Sequence, residues 1–312
     1  MLCIITFCNI LIATLLFLFI FLIVYINRRQ FQQDISILLT MNTCLASFLT
    51  CFAVIIMTLS NLFGSFLIVK MKFCYVWGLF YDIFECSIYH SYTLQAFFRL
   101  CRVIFYKKKH LLKYRLYIRL IGAQWMLSFL FLLPAILLKH YTQLPNQKYC
   151  LIAYTNVPIQ IYVIFMIYTI PLISILTTYL CITFYIRRTS TATTIATITR
   201  RQQQNLRDLV VLRQIVLLIT VLVILRFPTV IFIVDAAITH HLYKLTYEFV
   251  ALITSLCLII IAIITLCITP QIKNLIRLMQ IHSTTSTVAQ MPMIVVAIEL
   301  ANNPNNCSPA TK

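Results

Sequence analysis

The feature that most constrains the fold is a series of apolar runs that are too long and too free of charge for a soluble domain. Residues 1–27 contain no charged side chain, and a second uncharged run extends from Ile35 to Val69. A helix of roughly 20 apolar residues crosses the hydrocarbon core of a bilayer. The chain is 62% hydrophobic and 10% charged, whereas roughly 25% of residues are charged in an average soluble domain. These observations predict an integral membrane protein.

The composition favours helices over strands as the membrane-crossing elements. The chain has only three glycines and lacks the alternating segments, punctuated by turns, that are typical of a membrane barrel. Helices are the remaining way to satisfy backbone groups in lipid. The first run is longer than a signal-peptide core and has no small-residue cleavage pattern, so we expect it to remain as an uncleaved helix.

The apolar runs predict an all-α membrane protein, a seven-transmembrane helix bundle. The second helix is expected to end near Leu59, with a turn near Asn61 and Gly64. The predicted helices cover 1–27, 35–59, 74–109, 116–138, 158–186, 205–235 and 246–272. The residues KNLIRLMQI that follow predict a short amphipathic helix on the membrane surface. The chain therefore divides into a transmembrane domain, 1–279, and a polar tail, 280–312, which we expect to be disordered.

The third predicted helix carries a line of polar and small side chains at steps of three or four residues, which places them on one face. Charged side chains cost about 2.5–3.5 kcal/mol each on membrane-insertion scales. This face should therefore contact protein or a watery cavity, and the other helices should pack around it. Its members are Asp82, Glu85, Tyr89, Tyr92, Ala96 and Arg99.

Lysine and arginine are distributed unevenly between the two sets of predicted loops. Nineteen lie in the loops, helix ends and tail that follow helices 1, 3, 5 and 7, against five in the loops after helices 2, 4 and 6. Basic loops mark the cytoplasmic side. The sequence therefore predicts a multi-pass plasma-membrane protein with an extracellular N-terminus and a cytoplasmic C-terminus. The net charge of +18 is explained by this asymmetry, so we expect no nucleic-acid partner.

Catalysis has little support in the sequence. There is no GxSxG, HExxH or Walker motif, so we expect no enzyme, cofactor or metal site. His240 and His241 are adjacent; they are interpreted as solvated loop residues, with metal ligation as the alternative. The two halves of the chain show no matched pair of broken helices of the kind found in transporters. A ligand-responsive bundle remains, with a channel or transporter as the main rival and a membrane hydrolase as the third choice.

The spacing of several residues resembles that of the rhodopsin-like (class A) G-protein-coupled receptors. A cysteine begins the third helix and an arginine follows near its other end; a tryptophan lies in the fourth helix, a cysteine in the next loop, and a proline in each of the last three helices. The residues are Cys74, Arg99, Trp125, Cys150, Pro171 with Tyr179, Pro228 and Pro270. The resemblance covers about 35–278.

The sequence departs from the family pattern at several of these places. It has Phe98, Arg99 and Leu100 where the family has Asp-Arg-Tyr, and Thr269-Pro270-Gln-Ile-Lys273 where the family has Asn-Pro-x-x-Tyr. Leu49 occupies the place interpreted as that of a sodium-binding Asp, and Arg226 replaces the usual Trp before the sixth-helix proline. The pattern resembles that of divergent receptors expanded in some invertebrate lineages.

The resemblance implies that a heterotrimeric G-protein binds the cytoplasmic ends of helices 3, 5 and 6, with Arg99 as the central contact. Arg99 could exchange partners with Asp208, or it could simply snorkel to lipid headgroups. Asp208 could instead act only as a local cap in the first turn of the sixth helix. The residues assigned to coupling and switching are Arg99, Arg102, Tyr179, Asp208, Pro228, Pro270 and Lys273.

The acidic residues near the predicted extracellular ends of the helices suggest a vestibule for an unidentified cationic ligand, either an amine or a basic peptide. Tyr81 occupies the place where amine receptors of this family carry an Asp. The assigned ligand-binding residues are Tyr81, Asp82, Glu85, Tyr89, Arg226, Asp235 and Glu248. Helical spacing further predicts a buried Glu85–Arg226 ion pair; the alternatives are that Arg226 snorkels or that Glu85 is protonated.

A disulfide between Cys74 and Cys150 is expected from the resemblance and from their position beside loops on one predicted face. That face meets an oxidising compartment once it is exposed. The alternative is two free thiols.

Overall fold

The structure is a computed structural model that describes residues 2–28, 34–63, 71–143, 150–154, 156–190, 216, 220, 223, 227–236, 238 and 245–268. Side chains are described at all of these positions except 63, 71–74, 189–190 and 268. The chain divides into two compact units, Met1–Thr265 and Leu266–Lys312. The described part of the second unit consists of the last residues of the final helix.

The described chain is almost entirely helical. Helices α1 to α4 are Leu2–Ile26, Ile35–Phe63, Met71–Val103 and Tyr114–Leu137. Helix α5 consists of the consecutive segments Val157–Ile164, Phe165–Thr169 and Ile170–Ser190, α6 is described over Phe227–Ala236, and α7 is Thr246–Ile268. Five of these helices, α1, α2, α4, α5 and α7, are long and apolar enough to cross a membrane. The chain is therefore a multi-pass helical membrane protein.

Helix α3 is the central element, as its polar face predicts. It packs against α2, α4, α5 and both strands of a short hairpin. Along the predicted face, Glu85 is 4% exposed, Tyr92 is 3% exposed and Ala96 is completely buried, while Arg99 is partly buried. The polar line thus faces protein, which removes the cost of placing carboxylates in hydrocarbon.

The peripheral helices present apolar side chains outward. Helix α1 buries Ile10, Ala13 and Phe17 at steps of three and four, whereas Leu15 is 65% exposed. Exposed leucine, isoleucine and phenylalanine also cover outward faces of α4 and α5. Contiguous apolar surface of this extent is costly in water but suits contact with lipid.

Helix α4 ends in a backbone arrangement that turns the chain into a hairpin. Lys139 has a positive φ of 53°, its N–H donates to the Ile136 carbonyl at 2.9 Å, and the His140 N–H donates to the Ala135 carbonyl at 3.1 Å. This pair of bonds is a Schellman motif. Strands β1, Tyr141–Gln143, and β2, Cys150–Ile152, then pair antiparallel. Both ends of the predicted loop that holds Cys150 therefore pair as strands.

Helix α5 contains a π-helical turn at Phe165–Thr169. The Ile170 N–H donates to the Phe165 carbonyl, five residues earlier. Pro171 follows directly; it has no N–H, and its ring requires space at the carbonyl four residues before it. The proline thus explains why the helix widens here, and the widened turn alters the direction of Ile167 and Tyr168.

Two predicted helix ends differ from the structure. Helix α2 continues through Asn61 to Phe63 rather than ending near Leu59, because no helix-breaking residue precedes Gly64. Helix α3 ends at Val103, and a separate 3₁₀ turn at Lys109–Leu112 follows. The cluster of lysines therefore lies beyond the helix.

Candidate functional site

A cavity lies between the ends of the helices nearest the hairpin. It encloses about 1050 Å³, counting solvent at its open side. Residues from α1, α2, α3, α5, α6, α7 and the hairpin segment contribute to its wall. Three acidic side chains line it: Asp82 and Glu85 from α3, and Glu248 from the first turn of α7. Three of the four acidic residues of the predicted vestibule therefore line one cavity.

Asp82 is held by the hairpin. The Tyr141 hydroxyl, from β1, donates to Oδ2 of Asp82 at 2.7 Å, and both residues are buried. Burial raises the pKa of Tyr141 well above its ordinary value of 10.0, and the adjacent Asp82 raises it further. Tyr141 therefore remains a neutral donor at physiological pH and ties β1 to α3.

Glu85 is held by the π-helical turn of α5. The Tyr168 hydroxyl donates to Oε1 of Glu85 at 2.9 Å, and the Tyr168 ring meets Tyr89 edge-to-face with centroids 4.8 Å apart. Glu85 is one turn of helix from Asp82, so the two carboxylates lie near each other but accept from different neighbours.

The segment after β2 forms an aromatic part of the wall. Tyr154 stacks on Tyr247 of α7 with ring centroids 4.8 Å apart, and the Tyr247 hydroxyl accepts from the Tyr154 N–H at 3.3 Å. Gln160, at the start of α5, donates to the Ile152 carbonyl at 2.8 Å. These bonds fix the hairpin segment to α5 and α7, so that Leu151, Ile152 and Tyr154 line the cavity.

Gly78 allows β2 to approach α3 closely. A Cβ at this position would overlap the Cys150 carbonyl oxygen and lie 3.2 Å from Cδ1 of Tyr141. Only a glycine lets the hairpin backbone lie this close to the helix. Gly78 therefore sets the position of Tyr141 beside Asp82.

Residues of α1, α2 and α7 also line the cavity. Glu248 is partly buried and lies within electrostatic reach of Cys3 on α1. Thr6 also lines the cavity. It is 2% exposed, and its hydroxyl has no hydrogen-bond partner within the described part of the chain.

The structure brings together four of the seven predicted ligand-binding residues, Tyr81, Asp82, Glu85 and Glu248. Tyr89 is buried and contacts Tyr168, which lines the cavity. Asp235 lies on α6 but is not among the residues that line the cavity. Arg226 lies outside the described residues, so its pairing with Glu85 stays a prediction.

The residues assigned to coupling are only partly described. Arg99 and Tyr179 are partly buried, and Arg102 is exposed at the end of α3. Pro228 lies within α6. Asp208, Pro270 and Lys273 lie outside the described residues, as do His240 and His241, the 273–281 segment and the tail at 280–312. The Arg99–Asp208 contact therefore stays a prediction.

Cys150 is disulfide-bonded. The Cys74 side chain lies outside the described side chains, so the Cys74–Cys150 pairing stays a prediction.

A buried polar network joins α2, α3 and α4 beside the site. Asn42 donates to Oε1 of Gln124 at 2.7 Å and accepts from Nε1 of Trp125 at 2.9 Å. Gln124 in turn donates to the Ser87 carbonyl at 3.0 Å. Each polar atom is satisfied by another helix, so the network fixes how these helices meet. The family spacing had drawn attention to Trp125, but nothing in the sequence pointed to its hydrogen-bond partner Asn42.

Sequence reasoning also missed Tyr141, Tyr168 and Gly78. The two tyrosines had no distinguishing signal among seventeen in the chain. Gly78 did have one, because a glycine inside an apolar helix often marks a close backbone approach.

The fold and the cavity define a multi-pass helical membrane protein with an acidic, tyrosine-lined site. In the ranges that the structure describes, no group of three or more His, Cys, Asp or Glu side chains could hold a metal ion. No protein-family model matches the chain, and no curated protein matches it.

Proposed function

We propose that the chain is a seven-span receptor of the rhodopsin-like type, which binds an extracellular cationic ligand in this cavity and activates a heterotrimeric G-protein. The observation that carries the proposal is the cavity itself. It is lined by residues of six helices and the hairpin, and it contains three carboxylates. A concave, largely apolar site with a few polar groups is the usual form of a small-ligand site.

Helix α3 supplies a connection between the cavity and the opposite, basic end of the bundle. Glu85 and Arg99 are fourteen residues apart, about 21 Å along a helix. Between them, Tyr89, Tyr92 and Ala96 are buried. A continuously packed α3 supports signal transmission and favours a receptor over a channel, which would need an open path beside these residues.

The proposed orientation places the cavity outside and the basic loops inside. It is supported by the distribution of lysine and arginine along the sequence. Protease access and cysteine labelling in intact cells should find Lys107–Lys109 protected and the exposed Thr142 and Gln143 accessible. Accessible lysines would contradict the orientation and with it the receptor proposal.

The test of function is nucleotide exchange on a panel of G-proteins in membranes that contain the chain. We expect measurable exchange that Arg99→Ala abolishes, with surface expression matched. Arg28→Ala is the control: Arg28 follows α1 on the predicted basic side and is exposed, so the same charge is lost outside α3. Equal effects of the two substitutions would contradict the assigned role of Arg99. Conductance in a bilayer containing only the purified protein would instead support a channel.

A further inference from the structure

We propose that the loop between α3 and α4, together with the first two turns of α4, binds the headgroups of anionic phospholipids. This inference goes beyond the proposed receptor function and does not depend on it. It concerns the end of α4 that lies away from the hairpin and the cavity. Its basis is a folded, strongly basic surface that continues into the lipid-facing side of a membrane-crossing helix.

The surface consists of basic side chains that lie close together in the chain. Six lysines and arginines fall within the 13 positions from Lys107 to Arg119, and all six are exposed. We call these residues the basic surface: Lys107, Lys108, Lys109, Lys113, Arg115 and Arg119.

Few acidic groups are placed to neutralise the basic surface. The sequence has no aspartate or glutamate between Glu85 and Asp208, so the loop and the whole of α4 carry none. On α2, Asp34 directly precedes the first residue, and the Ser36 N–H donates to its Oδ1 at 2.9 Å, which caps that helix. One carboxylate cannot balance six cations. The basic surface therefore carries a net positive charge that an anionic partner would offset.

The loop that carries the lysines is folded. The Lys108 N–H donates to the Phe105 carbonyl at 2.8 Å, and the Leu111 N–H donates to the Lys108 carbonyl at 3.0 Å. Leu112 packs against a buried cluster with one residue each from α2, α3 and α4, namely Leu39, Phe98 and Tyr117. The apolar side chain is thus turned towards the bundle while the lysines stay outside, so the charges are displayed before any partner binds.

The exposed face of α4 connects the basic surface to lipid. Arg115, Arg119, Gly122 and Met126 follow one another at steps of four, three and four residues, which places them on one face, and all four are exposed. A Cβ added to Gly122 would meet no atom within 4 Å, and Met126 is 63% exposed. Because α4 is long and apolar enough to cross a membrane, this face meets lipid tails at Met126 and headgroups at its two arginines.

The two arginines suit a phosphate ester. A guanidinium group can donate two parallel hydrogen bonds to a phosphate, and Arg115 and Arg119 are one helical turn, about 6 Å, apart along α4. Arg115 lies in the first turn of α4, where the helix dipole disfavours a positive charge. The stability of α4 alone does not explain an arginine there, whereas an anionic headgroup does.

The loop has the composition of a membrane-surface segment. Clusters of four to eight lysines and arginines beside a membrane-crossing helix are typical of anionic-lipid recognition, and the cytoplasmic leaflet, which these residues are predicted to face, is the anionic one. Phe105 is 38% exposed, with Nζ of Lys108 5.7 Å from its ring centroid. An exposed aromatic ring among lysines can enter the boundary between headgroups and acyl chains.

The inference is tested by native mass spectrometry of the full-length protein, delipidated in detergent and titrated with one phospholipid at a time. The probes are phosphatidylserine and phosphatidylcholine with identical acyl chains, so that only the headgroup charge differs. We expect the wild type to bind phosphatidylserine more tightly than phosphatidylcholine, and this preference to weaken as salt screens the charges.

The variants locate the contact on α4. Arg115→Gln and Arg119→Gln should each weaken phosphatidylserine binding roughly fivefold and leave phosphatidylcholine binding unchanged. Lys139→Gln is the matched control, because it removes one positive charge from an exposed position at the other end of α4; it should leave both affinities unchanged. Arg119→Lys keeps the charge but loses the paired donors, so its affinity should lie between those of Arg119→Gln and the wild type.

Three results would overturn the inference. Equal binding of the two lipids by the wild type would refute recognition of an anionic headgroup. Equal losses in Arg119→Gln and Lys139→Gln would show that overall charge, and not this surface, attracts the lipid. Arginine variants that reduce nucleotide exchange but bind phosphatidylserine like the wild type would assign the surface to a G-protein instead. Lipid binding is measured without any G-protein, so a failure of the receptor proposal is distinguishable from all three.

Discussion

Gly78 is the position at which one methyl group should disturb the site most directly. A Cβ placed there overlaps the Cys150 carbonyl oxygen and lies 3.1 Å from the carbonyl carbon. The colliding group is backbone, paired into the hairpin through Gln143, and so it cannot rotate away as a side chain could. Gly78→Ala must therefore displace β2 from α3.

The change in stability expected for Gly78→Ala is the sum of two opposing effects. Alanine in place of glycine inside a helix gains roughly 0.5–1 kcal/mol from backbone entropy. Overpacking costs about 1–3 kcal/mol. Gly122, within α4, has no atom within 4 Å of its added Cβ, so Gly122→Ala measures the first effect alone. The difference between the two variants isolates the steric cost.

The assay is thermal unfolding of the purified protein in detergent, with both variants prepared in parallel. Gly122→Ala should be slightly more stable than the wild type, and Gly78→Ala should be less stable than Gly122→Ala by about 1–3 kcal/mol. Equal stability of the two variants would refute the close approach of β2 to α3 and, with it, the stated position of Tyr141.

Three further predictions concern the polar contacts of the site and its surroundings. Tyr141 has a raised pKa in the folded protein, so its contribution to stability should be present below pH 10.0 and be lost as the pH rises above that value; a Tyr141→Phe protein should lack this alkaline loss in pH-dependent melting. Tyr168→Phe removes a hydrogen bond to a carboxylate and should lower the free energy of unfolding by about 1.5–3 kcal/mol. Tyr162→Phe removes a hydrogen bond to a backbone carbonyl and should lower it by about 1 kcal/mol. Similar melting temperatures of the two variants would contradict the Glu85 contact. Asn42→Leu leaves the Trp125 N–H without its acceptor and should lower the free energy of unfolding by about 1–3 kcal/mol in the same unfolding assay. An unchanged stability would show that the polar network does not stabilise the packing of α2, α3 and α4.

The sequence predicted the membrane-crossing helices because apolar run length is a local property. The predicted starts of α2 and α7, Ile35 and Thr246, agree with the structure, and the positions of α4 and α5 agree within a few residues. The end of α2 was predicted too early because Asn61 and Gly64 suggested a turn. An extra turn of helix costs little where no proline or glycine intervenes.

The hairpin could not be predicted from the same information. Its strands are only three residues long, too short for an alternating pattern to be visible. Their pairing depends on the Schellman turn at Lys139, a residue that rarely adopts positive φ. The presence of Cys150 indicated that the segment lies near α3 through the family resemblance, but not that the chain there is extended.

The sequence predicts which face of α3 the two acidic residues occupy, but not which neighbours hold them. The spacing of Asp82 and Glu85 places both carboxylates on the inward face of α3, and burial confirms this. Three residues advance a helix by about 300°, so the two side chains are offset by roughly 60° and can contact different neighbours. Their partners depend on the hairpin turn after α4 and the π-helical turn before Pro171. The first has no signature in the residue pattern, whereas the second could have been suspected from a proline in mid-helix, because the helix must widen or kink where the proline removes a backbone donor.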